Sequence, residues 1–82
     1  METYGVTVFH WKQGNCWDQE ISSQLTDLSI DAAREVARAL SSVPGHSAKL
    51  YSTERDYTEV AEHGMIVRKG KFAEVTRVRV AA

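Results

Sequence analysis

Residues 29–43 read SIDAAREVARALSSV, and this stretch decides which fold the rest of the chain can adopt. Its apolar residues recur every three or four positions, which is the spacing of one face of an α-helix, and charged residues occupy the opposite side. The apolar set is Ile30, Ala33, Val36, Ala37, Leu40 and Val43. Ser29 is a good N-cap, and Pro44-Gly45 predicts that the helix ends near Ser42. An amphipathic helix must bury its apolar face, so the flanking segments have to supply a second layer.

Both flanks favour extended structure. Residues 4–12 (YGVTVFHWK) are rich in β-branched and aromatic residues, and residues 16–24 return as a second strand after the turn signal Gly14-Asn15. After the helix, residues 47–53 predict a strand. The next segment, residues 53–63, fits either a strand or a short helix, and we favour the strand.

The last two segments predict a hairpin. Residues 65–68 and 72–80 are its arms, turned at Lys69-Gly70, and the second arm (FAEVTRVRV) has a clear strand pattern. The order is therefore β-β-α-β-β-β, with the strand in residues 53–63 the least secure. We predict a single α+β domain over residues 1–82, in which a mostly antiparallel sheet of four or five strands carries one amphipathic helix on one face.

The register of the first hairpin determines which side chains share a face. With Gly14-Asn15 as the loop, Phe9 lies opposite Glu20 and Trp11 opposite Asp18. Strand alternation then groups these four side chains on one face. It groups Tyr4, Val6, Val8 and Ile21 on the other face.

Composition narrows the class of protein. The chain has 82 residues, 43% of them apolar, which is enough for one hydrophobic core. The single cysteine, Cys16, leaves no internal disulfide and indicates a reducing compartment. No segment has the length of apolar sequence that spans a bilayer, and the N-terminus lacks the pattern of a secretory signal. We therefore expect a cytoplasmic protein with no membrane partner.

The motifs of common enzyme and metal sites do not occur in this sequence. The three histidines are far apart and form no metal-ligand spacing, and the glycines are isolated. Cys16 lies near Asp18 and Glu20, whose negative charge disfavours a reactive thiolate. Acids at these spacings are typical of a solvated face. We expect a protein that is not an enzyme, with no catalytic residues, no bound metal and no cofactor.

The leading functional hypothesis is a module that binds another protein. One helix covers one face of the sheet, so the other face is left to meet water or a partner. Phe9, Trp11 and Tyr51 would anchor the contact there, while Asp18 and Glu20 form an acidic rim that steers a basic partner. A specific version is a phage-type inhibitor of a host nucleic-acid-processing complex, or a similar bacterial accessory protein. The competing interpretation is that residues 53–63 bury this aromatic surface.

Two further hypotheses remain open. The net charge is −1, yet residues 68–79 hold five basic residues and one acid. These basic residues predict a nucleic-acid-binding hairpin, although basic residues near a turn or on an edge strand also serve solubility. They are Arg68, Lys69, Lys71, Arg77 and Arg79. The third hypothesis is a homo-oligomer, such as a homodimer, in which two sheets pair through the same open face.

Overall fold

The computed structural model describes the backbone of residues 2–12 and 15–75 and the side chains of residues 2–10 and 20–75. Its strands are β1 (Tyr4–Lys12), β2 (Asn15–Leu28), β3 (His46–Ser52), β4 (Thr58–Glu62) and β5 (Met65–Gly70), with helix α1 (Ile30–Ser41) before β3 and the one-turn helix α2 (Phe72–Val75) after β5. The five strands form one antiparallel sheet in the order β2-β1-β3-β4-β5. The predicted α+β fold, its element order and the strand within residues 53–63 are confirmed.

Helix α1 begins and ends where the sequence predicts. The Ser29 side chain accepts a hydrogen bond from the backbone N–H of Ala32 at 3.2 Å, and Ser42 is the C-cap. Ala33 and Ala37 are fully buried on the sheet side, since their small side chains allow the helix to approach the strands closely. Neither helix in the described part of the chain is long and apolar enough to cross a membrane.

The hydrophobic core lies between α1 and the central strands. Tyr4, Val6 and Val8 of β1 alternate toward the helix, and Ala48 and Leu50 of β3 do the same. The residues between them therefore face away from α1. Among these, Tyr51 covers Gly5 with its ring, which occupies the space that a side chain at position 5 would need.

A buried ion pair joins α1 to β4. The Arg34 guanidinium contacts the Glu59 carboxylate with both Nε and Nη2, the shortest distance being 2.7 Å, and the Tyr57 hydroxyl donates to the same carboxylate at 2.9 Å. Glu59 has no exposed surface. Burial alone would raise the pKa of this carboxyl, but the hydrogen bonds from Arg34 and Tyr57 outweigh burial and lower it. The network therefore serves to dock the helix on the sheet.

The predicted register of the first hairpin is wrong. Phe9 pairs with Ile21, His10 with Glu20 and Trp11 with Gln19, and the pairing shifts again between Val8 and Phe9. Over the paired stretch β2 has more residues than β1, so the extra residues of β2 are absorbed as bulges. The pairing differs even next to the loop, because Lys12 pairs with Asn15, which belongs to β2 and not to the predicted Gly14-Asn15 turn. The consequence is that Ile21 joins the face of Phe9, while Glu20 lies on the face of His10.

The predicted C-terminal hairpin is also wrong over the described residues. Strand β5 turns back from β4 at His63-Gly64, both with positive φ, and Phe72–Val75 forms one helical turn instead of a strand. The Asp56 carboxylate accepts a hydrogen bond from the N–H of Phe72 at 2.9 Å, which holds the start of this turn. This long-range contact overrides the local strand pattern. Residues 76–80 of the predicted strand lie outside the described residues.

Candidate binding groove

A groove runs over the sheet face opposite α1. Strands β1 to β4 form its floor, Ile21 of β2 lies at one wall and Phe72 of α2 at the other, and its volume is about 300 Å³. Most of its surface is apolar and comes from Phe9, Ile21, Tyr51 and Phe72. This size is at the lower end for ligand pockets in proteins, so the groove suits one or two side chains rather than a large cofactor.

The two walls of the groove leave large apolar side chains in contact with water. Ile21 is 58% exposed and Phe72 is 56% exposed, whereas Phe9 on the floor is half-buried. Single exposed apolar residues are ordinary on a protein surface, but here they border the same concave apolar surface. Their position on either side of one concave face makes this face a candidate contact surface.

Lys49 brings a cation into this apolar setting. Its Nζ lies 5.1 Å from the centroid of the Phe9 ring, a cation–π contact, and it forms no ion pair with a described residue. Burial lowers the pKa of the Lys49 amine, and the like charge of Arg68 lowers it further. Among the described residues that line the groove, Lys49 is the only charged one. The described lining of the groove therefore carries a positive charge.

Thr58 adds an unsatisfied polar group to the floor. The residue is 1% exposed, and its hydroxyl finds no hydrogen-bond partner among the described residues. It pairs with Tyr51 across β3 and β4, so the two share the groove face. A buried hydroxyl without a partner is unfavourable and uncommon in native proteins, so it calls for a specific explanation.

The residues predicted to bind a protein are only partly brought together. Phe9 and Tyr51 line the groove, as the open-face hypothesis predicts. Glu20 pairs with His10 on the other face, where the His10 and His46 rings are 5.7 Å apart, so Glu20 does not border Phe9. The side chains of Trp11 and Asp18 lie outside the described residues, although the backbone places Gln19, not Asp18, opposite Trp11.

Six of the residues that line the groove were not predicted from the sequence: Thr7, Ile21, Gln24, Lys49, Thr58 and Phe72. Ile21 was assigned to the core through the wrong register, and Phe72 was assigned to a strand. Lys49 carried a usable signal, since it alternates with Leu50 and so shares the face of Tyr51. Thr58 carried no local signal, because only the tertiary structure shows that its hydroxyl is buried.

The residues of the nucleic-acid hypothesis are scattered where they are described. Arg68 pairs with Val60 on the groove face and contacts Glu62 at 3.4 Å. Lys69 lies opposite Glu59 on the helix face, and Lys71 is exposed in the segment before α2. Arg77 and Arg79 lie outside the described residues. Nucleic-acid binding stays a prediction that this arrangement does not strengthen.

Other site types find no support in the described part of the chain. No group of three or more histidine, cysteine, aspartate or glutamate side chains there is placed to hold a metal ion. The buried Glu59 carboxylate is enclosed by Arg34 and Tyr57 and has no surface through which a substrate could reach it. Comparison with protein-family models, with curated proteins and with solved structures finds no match, so the function of this chain has to be argued from its own geometry.

Proposed function

We propose that this protein is a non-enzymatic binding module that takes a segment of a partner protein into the groove on its open sheet face. The observation that carries the proposal is the exposure of Ile21 and Phe72 at 58% and 56% on either side of a concave apolar floor. Burying these two side chains against a partner would remove their apolar surface from water, which is the main favourable term in association.

The shape and composition of the groove support a protein ligand. The centres of protein–protein interfaces are enriched in aromatic side chains that fill pockets on the partner, with polar groups around them. Phe9, Tyr51 and Phe72 supply aromatic surface from three different elements held by one sheet. A rigid sheet keeps such a surface preorganised, so little ordering free energy is lost on binding.

The inhibitor role expected from the sequence is compatible with this surface. A small module that occupies a partner's contact surface blocks that surface without any chemistry. The acidic rim invoked for this role differs from what is described, because Glu20 lies on the other face and the charged group in the groove is Lys49. A cytoplasmic setting fits the same proposal, since Cys16 leaves no internal disulfide.

Selection from a displayed random-peptide library tests the proposal directly. The double variant Ile21→Ser/Phe72→Ser removes both walls of the groove, and both side chains are exposed, so the fold should be retained. Val43→Ser is the matched control, because Val43 is 44% exposed beyond the C-terminal end of α1 and away from the groove. We expect enriched peptides to bind the wild type and Val43→Ser equally, and to bind the double variant at least about tenfold more weakly.

Two results would contradict the proposal. One is a library that yields no peptide binding above background, or peptides that bind the double variant as well as the wild type. The other is a concentration-dependent dimer in sedimentation that becomes monomeric in Ile21→Ser/Phe72→Ser. That result would assign the groove to self-association instead of a separate partner.

A further inference from the structure

Lys49 and Thr58 are neighbours on the floor of the groove. Lys49 pairs with Val60 and Tyr51 pairs with Thr58, which makes Lys49 and Thr58 diagonal neighbours on one face of β3 and β4. Such neighbours are roughly 7–8 Å apart along the sheet, a separation that the long lysine side chain can span. One residue is a cation with no described counter-ion, and the other is a buried hydroxyl with no described partner.

Both groups lack full compensation from the described residues. The ammonium group and the hydroxyl have each given up part of their hydration without gaining a hydrogen bond from a described residue. The cation–π contact with Phe9 compensates Lys49 only in part. A carboxylate would compensate the ammonium with a charged hydrogen bond, whereas the Thr58 hydroxyl is buried out of a ligand's direct reach.

The surroundings specify what must carry this carboxylate. Phe9, Ile21 and Phe72 make most of the surface beside Lys49 apolar, so the ligand has to present apolar groups next to its charge. Arg68 also lies close enough to Lys49 to act on it, but the charge of Arg68 is paired with Glu62, so Lys49 is the cation left to bind an anion. A basic or neutral ligand group would leave Lys49 uncompensated.

We infer that the groove recognises an acidic residue flanked by apolar residues in a segment of a partner protein, with its carboxylate bound by the Lys49 ammonium. This inference rests on the proposed binding function and names the chemistry of its ligand. It also reverses the charge expected from the sequence, where an acidic rim was predicted to steer a basic partner.

Three blocked peptides that differ at one position test the inference: acetyl-Phe-Glu-Leu-amide and the same peptide with Gln or Lys at the centre. Binding is followed by NMR through the backbone amides of Thr7, Lys49 and Thr58. We expect the Glu peptide to bind about tenfold more tightly than the Gln peptide, as a charged hydrogen bond predicts, and the Lys peptide to bind most weakly.

Two variants separate a ligand-binding role from a structural role. Lys49→Met should abolish the preference for Glu over Gln while leaving the apolar contribution to binding. Lys71→Met is the matched control, since Lys71 is an exposed lysine that does not line the groove.

The outcomes distinguish this inference from the function on which it rests. Equal binding of the Glu, Gln and Lys peptides at the groove overturns the carboxylate assignment and leaves the binding module intact. Tighter binding of free 3-phenylpropionate than of the Glu peptide overturns the assignment to a protein segment. If neither these peptides nor display-selected peptides perturb the groove amides, both proposals fail together.

Discussion

The side chain of Glu2 holds the start of β1 to the segment that links β3 and β4. Its carboxylate accepts hydrogen bonds from Ser52 at 2.6 Å, from Arg55 at 2.7 Å and from the Tyr4 hydroxyl at 2.9 Å. These hydrogen bonds, led by that from Ser52, lower the pKa of Glu2 to about 2 from its ordinary 4.5. Arg55 also lies 4.7 Å from the Tyr57 ring centroid. The ionised form of Glu2 thus stabilises this corner of the fold.

A pH dependence follows from that shift. Because the pKa is lower in the folded state, the stabilisation is present above about pH 4.5 and is lost as the pH falls toward about 2. We expect Glu2→Gln to lower the free energy of unfolding at pH 7. The difference between the variant and the wild type should shrink as the pH falls from about 4.5 toward about 2. Urea denaturation at successive pH values measures it.

The control for this experiment is Glu54→Gln, an exposed acid in the segment that links β3 and β4. It should leave the free energy of unfolding nearly unchanged at every pH. A deficit for Glu2→Gln that is as large at the acid end as at neutral pH would show that ionisation of Glu2 is not the source of the stabilisation.

At the scale of elements, α1 and β4 are joined by the Arg34–Glu59 pair. The Nη2–Oε2 distance is 2.7 Å, and Arg34 keeps 27% of its side-chain surface exposed while Glu59 keeps none. A buried carboxylate is stable in its ionised form only while its ion-pair and hydrogen-bond partners are present. The helix therefore depends on this pair for its position on the sheet as well as on its apolar face.

Removal of the Arg34 guanidinium should destabilise the folded protein. We expect Arg34→Met to lower the free energy of unfolding by about 2–4 kcal/mol, below the largest values for buried pairs because Arg34 is partly exposed. The double variant Arg34→Met/Glu59→Leu should recover most of that loss, since no unpaired charge is left in the core. Chemical denaturation of the wild type, both single variants and the double variant gives the coupling free energy.

Arg38→Met on the same helix is the matched control, because Arg38 is exposed in the last turn and has only the modest interaction of a cation with the helix dipole. Its effect should stay below about 1 kcal/mol. A coupling free energy near zero in the double-mutant cycle would mean that Arg34 and Glu59 contribute independently and that the ion pair does not dock the helix.

At the scale of the whole molecule, the strand order separates a protected centre from two open edges. β1, β3 and β4 each have a strand on both sides, whereas β2 and β5 have one neighbour each among the described strands. Met65 and Val67 of β5 are 61% and 45% exposed. The groove lies mostly over these central strands, with Ile21 of edge strand β2 as one wall.

Hydrogen exchange should reflect this division. We expect the backbone amides of β1, β3 and β4 to exchange most slowly, because they open only with the core, and those of β2 and β5 to exchange faster through local opening. Native-state exchange followed by NMR at low protein concentration measures the order. If the β5 amides were protected as strongly as those of β3, and if this protection grew with protein concentration, a second copy of the chain would cover this edge.

The predictable part of the fold is the part that short-range rules control. The spacing from Ile30 to Leu40 and the Ser29 cap placed α1 correctly, and the alternation around Val6 and Leu50 placed the two central strands. The register of β2 was missed because its bulges respond to packing along the whole strand. The helical turn at Phe72 was missed because the side chain that holds it belongs to Asp56, sixteen residues earlier.

The residues of the groove also divide into those that local pattern predicts and those that depend on long-range contacts. Phe9 and Tyr51 were predicted because alternation alone places them opposite the helix. Ile21 and Phe72, the two exposed walls, depend on bulges and on a long-range hydrogen bond and could not be placed from local pattern. The charge of the groove was missed for the same reason, since Glu20 was brought beside Phe9 by a register that the protein does not adopt.

The amino-acid sequence by itself determined that this chain folds as an α+β sheet with one helix on one face, because periodicity, caps and turn residues act over a few neighbouring positions. Only the tertiary structure decided which side chains border the open face and that a lysine without a described counter-ion lies among them. Strand register and burial depend on contacts between residues far apart in the chain, and those contacts exist only once the sheet has formed.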